Sequence, residues 1–260
     1  MTRAWRGLAW VYLALAFGFI LLPVGVLVLF SFQDGRLPVP PFRGPSLRWY
    51  AEVLADRRLM AGLGNSLLVA GVSATVALGL GFLAAVGLAR HRLPGAALLR
   101  LVLIAPLTVS YLIIALGLLT LYNRAGVGLS LWTAGVGHVV INLPLCFAIL
   151  YAAMGPHLRA AERAARDLGA GEAAVLWHVT APMLAPALLA AWFLAFTFSW
   201  DEFIIAFLLT RFDVTLPVEI WSLLRSGISP RANAIGSLVF LVSVVVVMVV
   251  QLVALRRTRR

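Results

Sequence analysis

The chain has 260 residues, 62% hydrophobic and only 12% charged, about half the charge that a water-soluble domain carries. Its 21 Lys-or-Arg positions are all Arg, so no P-loop with its phosphate-binding lysine is complete, and ATP chemistry has to come from another chain. In so apolar a chain the net charge of +11 reads as basic loops against an anionic membrane surface, not as a nucleic-acid footprint.

Six stretches free of Asp, Glu and Arg organise the chain: 7–33, 59–89, 101–123, 125–158, 173–200 and 232–255. Each reaches the ~20 residues that a helix needs to cross a bilayer. They are apolar all round, without the alternation of barrel strands. Trimmed by hydropathy, the predicted spans lie near 9–32, 66–89, 101–121, 131–153, 184–208 and 234–255. This is the pattern of an all-α membrane protein with six transmembrane helices. The first run follows Arg3 and Arg6, but its apolar core is longer than the roughly 7–15 residues of a secretory signal, so it reads as an uncleaved span.

Placing both termini inside gives 12 internal Arg (3, 6, 90, 92, 100, 159, 163, 166, 256, 257, 259, 260) against 9 external. The internal segments are also the shorter set, which points the termini to the cytoplasm. The chain then divides into a first helix with an external loop (1–61), a five-helix core (62–255) and a basic tail (256–260). The external loop is proline-rich at Pro38, Pro40, Pro41 and Pro45, and then predicts a short amphipathic helix over 46–58.

Within the spans, Gly79, Gly81 and Gly87 suggest close helix packing, and His138 and Asn142, four apart, suggest polar bonding between helices. Cys146 reads as a small buried hydrophobe. The four histidines (91, 138, 157, 178) are scattered and assemble no zinc constellation.

Asp201 and Glu202 fall inside the fifth run's helix, where an ionised carboxylate at mid-bilayer costs about 2.5–3.5 kcal/mol. Asp201 lies roughly 25 Å along that helix from Leu184, near its outer end, and shares a face with Thr197. It is the candidate to face a pore or a partner and not lipid, with Glu202, beside Ser199, serving the mouth or helix contacts. Tyr111 and Trp200 offer aromatic faces to an ammonium, and Trp221 reads as an interface anchor.

The longest loop on the internal face, 154–182, comes between the fourth and fifth spans. Residues 161–186 read AERAARDLGAGEAAVLWHVTAPMLAP. Small residues followed by Gly169 predict a short helix stopped by a left-handed turn. Arg159, Arg163 and Arg166, spaced four and three apart, form one charged face. Pro182 suits the first turn of the next span.

This segment resembles the coupling loop of ABC-importer permeases: EAA, three residues, Gly, nine residues, then I-x-L-P. Ala164 and Ala165 supply the alanines, Asp167 falls in the spacer, and Gly169, Val179 and Pro182 occupy the glycine, isoleucine and proline positions. Arg163 stands where the family has Glu, with Glu162 one residue earlier, and Ala181 replaces Leu. A second EAA, Glu172 to Ala174, is followed four residues later by His178 rather than Gly. Asn65–Ser66–Leu67 opening the second span and Leu88–Ala89–Arg90 closing it are similar to that family's permeases in general, and FTFSWDEFIIAFLLT (196–210) with the stretch 215–237 looks like its spermidine/putrescine branch.

The resemblance implies a non-catalytic inner-membrane subunit whose cytoplasmic loop docks on a dimer of ATP-binding subunits. A second permease subunit and a periplasmic solute-binding protein would complete the importer. ATP and magnesium would be used by the ATPase, with no cofactor or metal in this chain. Polyamines are the implied cargo. Related branches carry iron, thiamine or sugars. An ion-coupled secondary transporter using Asp201 and Glu202 is the competing class, although it needs no docking loop.

Overall fold

The computed structural model describes residues 3–91, 93–227 and 229–258. Arg92, Arg259 and Arg260, counted above among the internal arginines, lie outside the described residues. Every regular element among the described residues is a helix. The chain forms two compact units, Met1–Met60 with Glu219–Arg260, and Ala61–Val218.

In the first unit, α1 (Arg3–Ser31) is a 29-residue apolar helix with most of its large side chains exposed, as suits a surface that meets lipid. Its end is fastened where the Ser31 hydroxyl donates to Val28 O at 2.6 Å and lies 2.6 Å from the Tyr50 hydroxyl. The proline-rich loop folds around Gln33. Its side-chain amide donates to the carbonyls of Val39 and Pro41, its Oε1 accepts from Arg43 N, and its backbone carbonyl accepts the buried Trp49 indole N–H at 2.7 Å. Helix α2 (Arg48–Ala55) follows, shorter than the predicted 46–58 because Asp56 ends it and caps the next helix. Asp56 Oδ1 accepts from the backbone N–H groups of Arg58 and Leu59, and its other oxygen pairs with Arg231. Burial works against ionisation of Asp56, but these donors prevail and hold its carboxyl below the usual range.

Capped there, α3 (Arg57–Arg90) starts well before the predicted span at 66. Asn65 and Ser66 therefore lie inside the helix and do not open it. They tether the second unit: Asn65 Nδ2 donates to Val214 O at 3.0 Å, and Ser66 Oγ accepts from Leu216 N at 2.8 Å.

The predicted third span is not one helix. Helix α4 (Ala96–Ile104) passes through a tight turn at Ala105–Thr108 into α5 (Tyr111–Ala125), with a 107° bend between the halves. Pro106 lacks the N–H that would continue the ladder, and Val109 and Ser110 are extended. Helix α6 (Leu131–Ala153) opens on a reciprocal Ser130–Thr133 capping box, and α7 (Pro156–Asp167) follows it. The fifth stretch is also bent. Helix α8 (Glu172–Val175), a wide turn over Leu176–Thr180 and α9 (Ala181–Met183) meet α10 (Ala185–Trp200) at 72°. Beyond it come α11 (Ile204–Leu209), α12 (Leu216–Ser226) and α13 (Pro230–Thr258). Among the described residues three helices are long and apolar enough to cross a membrane, or up to five if each bent pair is one span, and α13 covers the sixth predicted stretch.

Packing in the second unit centres on α6. Ala74, Ala77 and Ala85 of α3 and Ala191 and Ala195 of α10 are fully buried around Cys146, Phe147 and Leu150. These small residues let backbones approach, which is how helices associate in lipid. A second cluster joins Ala115 of α5, Ala134 and Ile141 of α6, and Ile205 and Leu209 of α11. Gly81 is the tightest helix contact of the three predicted glycines: a Cβ there would lie 2.8 Å from Phe147 N, whereas nothing lies within 4 Å of one at Gly79 or Gly87. Gly81→Ala is therefore expected to destabilise the chain by about 1–3 kcal/mol, while Gly79→Ala and Gly87→Ala are neutral or stabilising by up to ~1 kcal/mol. Denaturant unfolding of the purified chain in detergent separates the three.

Candidate functional site

The loop after α6 builds its shape from backbone rules. Helix α7 ends at Gly169, which sits at φ +87°. Ala170 N donates to Ala165 O at 3.0 Å and Gly169 N to Arg166 O at 2.8 Å. This is the six-to-one and five-to-two bonding of a Schellman end, which requires the left-handed residue that only glycine adopts without strain. Leu168, just before the turn, is 90% exposed, and Ala164 and Asp167 are exposed beside it. The turn therefore presents a small, smooth knob with one apolar side chain.

The acid of the loop is turned inward. Glu162 is 2% exposed. Its Oε1 accepts from Arg90 Nη2 at 2.9 Å and from Thr180 Oγ1 at 2.7 Å, and its Oε2 lies 2.5 Å from Arg90 Nε. One carboxylate thus joins the end of α3, helix α7 and the turn that leads to α10. Arg163, at the family's glutamate position, is exposed. The three-arginine face is not uniform, because Arg166 makes a bidentate pair with Glu172 at 2.7 and 2.8 Å. Those hydrogen bonds hold the Glu172 carboxyl below its usual range. The second EAA thus supplies the partner of Arg166.

Val179, half-buried, falls in the wide turn. Pro182 does not open the span; it lies in α9, before the break at Leu184, and Pro186 occupies the first turn of α10. A proline at 182 donates nothing to the carbonyl four residues back and crowds it, and the turn before it is the widened one.

The fifth stretch ends as a helix at Trp200. Asp201 follows it as the cap residue, exposed, with its N–H bonded to Thr197 O at 3.2 Å. Thr197 is exposed on the same side, its hydroxyl bonded to Phe193 O. Trp200 is buried, and Tyr111 is half-buried against the second cluster. Two sequence-predicted residues, Asp201 and Thr197, therefore share an exposed surface, while the two aromatic rings are taken up by packing.

Glu202 is 5% exposed and caps α11, accepting from Ile205 N at 2.8 Å and Ala206 N at 3.2 Å. Its Oε2 lies 3.6 Å from His138 Nε2. His138 Nδ1 lies 2.6 Å from Ser199 Oγ, which lies 2.9 Å from Ser73 Oγ. Four side chains from α3, α6, α10 and the α10–α11 link thus form one buried polar chain. Ser73 and Thr180 are not among the sequence candidates, and the sequence places Arg90 by sidedness and resemblance without its pairing to Glu162. A lone arginine ending an apolar run was the available signal for Arg90; isolated hydroxyls in apolar helices give none. Among the described residues no group of three His, Cys, Asp or Glu gathers as a metal site.

Bent apolar helices of membrane-spanning length, tied by a buried ion pair to the short helix α7, define a helical membrane protein. The family model "Binding-protein-dependent transport system inner membrane component" matches residues 77–260, and the chain belongs to that family: it is a permease subunit of the bacterial inner membrane. It is 30% identical to the spermidine/putrescine permease PotC of Escherichia coli K12 over 251 residues, 95% of this chain and 94% of that one. It is 36% identical to the putrescine permease PotI of the same strain over 238 residues, 88% and 84% of the two. The sulfoquinovosyl glycerol permease SmoH of Agrobacterium fabrum is 31% identical over 178 residues, covering 66% and 62%. The fold matches a bacterial ABC transporter involved in alginate import at TM-score 0.69 and 19% identity over 96% of this chain and 98% of that one. It matches an alginate transporter in complex with its pentasaccharide-bound periplasmic protein at TM-score 0.71 and 16% identity, over 99% and 95%.

Proposed function

We propose that this chain is one half of the translocation pathway of an ATP-driven polyamine importer, with six spans and cytoplasmic termini. The observation that carries the reading is similarity over most of the chain to two polyamine permeases, against the shorter match to a permease for a sugar derivative. A separate ATPase dimer, using ATP and magnesium, engages the knob of α7. A sibling permease completes the pathway, and a periplasmic protein delivers the solute. The chain itself carries out no chemistry. Asp201 meets the cationic cargo: a carboxylate offsets part of the cost of drawing an ammonium out of water, and an exposed charge beside Thr197 suits a pathway wall better than lipid.

Asp201→Asn keeps size and removes charge. It is expected to lower putrescine and spermidine uptake by about ten-fold, roughly 1.4 kcal/mol, with the chain's abundance and ATPase association unchanged. Wild-type uptake by this variant would make Asp201 structural, and stimulation of ATP hydrolysis only by a sugar or an anion would remove the polyamine reading. Sidedness has its own check. In a background lacking Cys146, single cysteines at Arg36 and Gly171 are expected to label from opposite faces, with Arg36→Cys reached from the periplasm. Labelling of both from one face contradicts the topology.

A further inference from the structure

A cleft of about 1000 Å³ opens beside the coupling helix, between the end of α3, the start of α4 and α7. Five arginines line it: Arg90, Arg100, Arg159, Arg163 and Arg166. The one acid in its wall, Glu162, is already committed to Arg90 and Thr180. Arg166 is held by Glu172. Among the described residues no carboxylate pairs with Arg100, Arg159 or Arg163, and Nη1 of Arg90 is buried without a hydrogen-bond partner. Arg100 is exposed, its guanidinium 5.4 Å from the Tyr151 ring centroid. The three arginines without a carboxylate, Arg100, Arg159 and Arg163, repel each other around one hollow unless an anion enters.

The rest of the lining says which anion. Leu88, Ala89, Leu93, Pro94 and Ala96 form an apolar part of the same wall. The cleft lies where α3 and α6 end and α4 begins, at the level at which apolar helices leave hydrocarbon for headgroups. A free phosphate compound has no use for the apolar wall, whereas an anionic phospholipid matches both parts, phosphate to guanidinium and glycerol with acyl ends to the apolar residues. We propose that this cleft binds the headgroup of an anionic phospholipid, so that lipid occupies the hollow behind the coupling helix. Its placement at the cytoplasmic leaflet rests on the topology given under Proposed function.

The test uses the full chain in detergent and needs neither ATPase nor transported solute, so it stays readable if the polyamine reading fails. Thermal unfolding is followed with short-chain phosphatidylglycerol, short-chain phosphatidylcholine or glycerol phosphate, and native mass spectrometry counts lipid adducts. Phosphatidylglycerol is expected to raise the midpoint by several degrees and to give a one-to-one adduct, with phosphatidylcholine and glycerol phosphate doing neither. Arg100→Gln with Arg159→Gln, both exposed and outside the Glu162 cluster, is expected to abolish shift and adduct. Arg211→Gln, far along the chain from the cleft, keeps both. Equal effects of the two lipids, or a shift that survives the double variant, would overturn the proposal. An equal shift with glycerol phosphate would overturn it in favour of a soluble phosphate ligand.

Discussion

Glu162→Ala is expected to destabilise the chain by about 3–5 kcal/mol, since removing one partner strands the other charge in the interior. The side chains of Arg90 and Glu162 are 11% and 3% exposed, so water does little to replace the lost carboxylate. The Thr180 hydroxyl loses its acceptor as well. At roughly 2–4 °C per kcal/mol for a chain of this size, the thermal midpoint in detergent falls by about 10 °C. Adding Arg90→Leu is expected to recover much of this, because an apolar replacement of both partners leaves no stranded charge. A single variant within about 0.5 kcal/mol of the parent would mean that solvent reaches the pair and that it does not brace the loop.

Gly169→Val acts on the same loop by another route. At φ +87° a β-branched residue is strained by about 1–3 kcal/mol, yet nothing lies within 4 Å of a Cβ there, so the cost is in the backbone alone. The Schellman bonds from Gly169 and Ala170 break as the turn relaxes, and the knob bearing Leu168 changes shape. Because the turn lies outside the bilayer, the protein is expected to insert normally while ATPase binding and uptake are lost together. Gly169→Asn, which tolerates the left-handed region, is expected to retain much of both. Normal uptake by a well-inserted valine variant would remove the docking role from this turn.

The six apolar stretches were legible because bilayer thickness imposes a length that hydropathy reads directly. Bends are not imposed that way. The 107° break before α5 and the end of α10 at Trp200 fall inside the predicted spans 101–121 and 184–208, where only Pro106 and the Asp201–Glu202 pair interrupt the pattern. The early start of α3 followed from Asp56 accepting backbone N–H groups, a cap that sits outside any apolar run. In the coupling loop, the spacing of Gly169 was legible because a left-handed turn restricts residue type. The fate of the acid was not: Arg163 and Glu162 are adjacent in sequence, and only the fold turns one outward and the other onto Arg90. Likewise three glycines on α3 look alike in sequence, and packing singles out Gly81 because α6 brings its backbone there.

A polyamine importer driven by a partner's ATP is expected to accumulate its cargo only while ATP is hydrolysed. Proteoliposomes holding the chain with its sibling permease and ATPase, supplied with binding protein, are loaded with ATP or with a non-hydrolysable analogue, and all ion gradients are collapsed by ionophores. Accumulation of labelled putrescine with ATP alone, abolished by Gly169→Val, is the predicted result. Accumulation that persists without hydrolysable ATP, or that disappears when the ion gradients are collapsed, would contradict it.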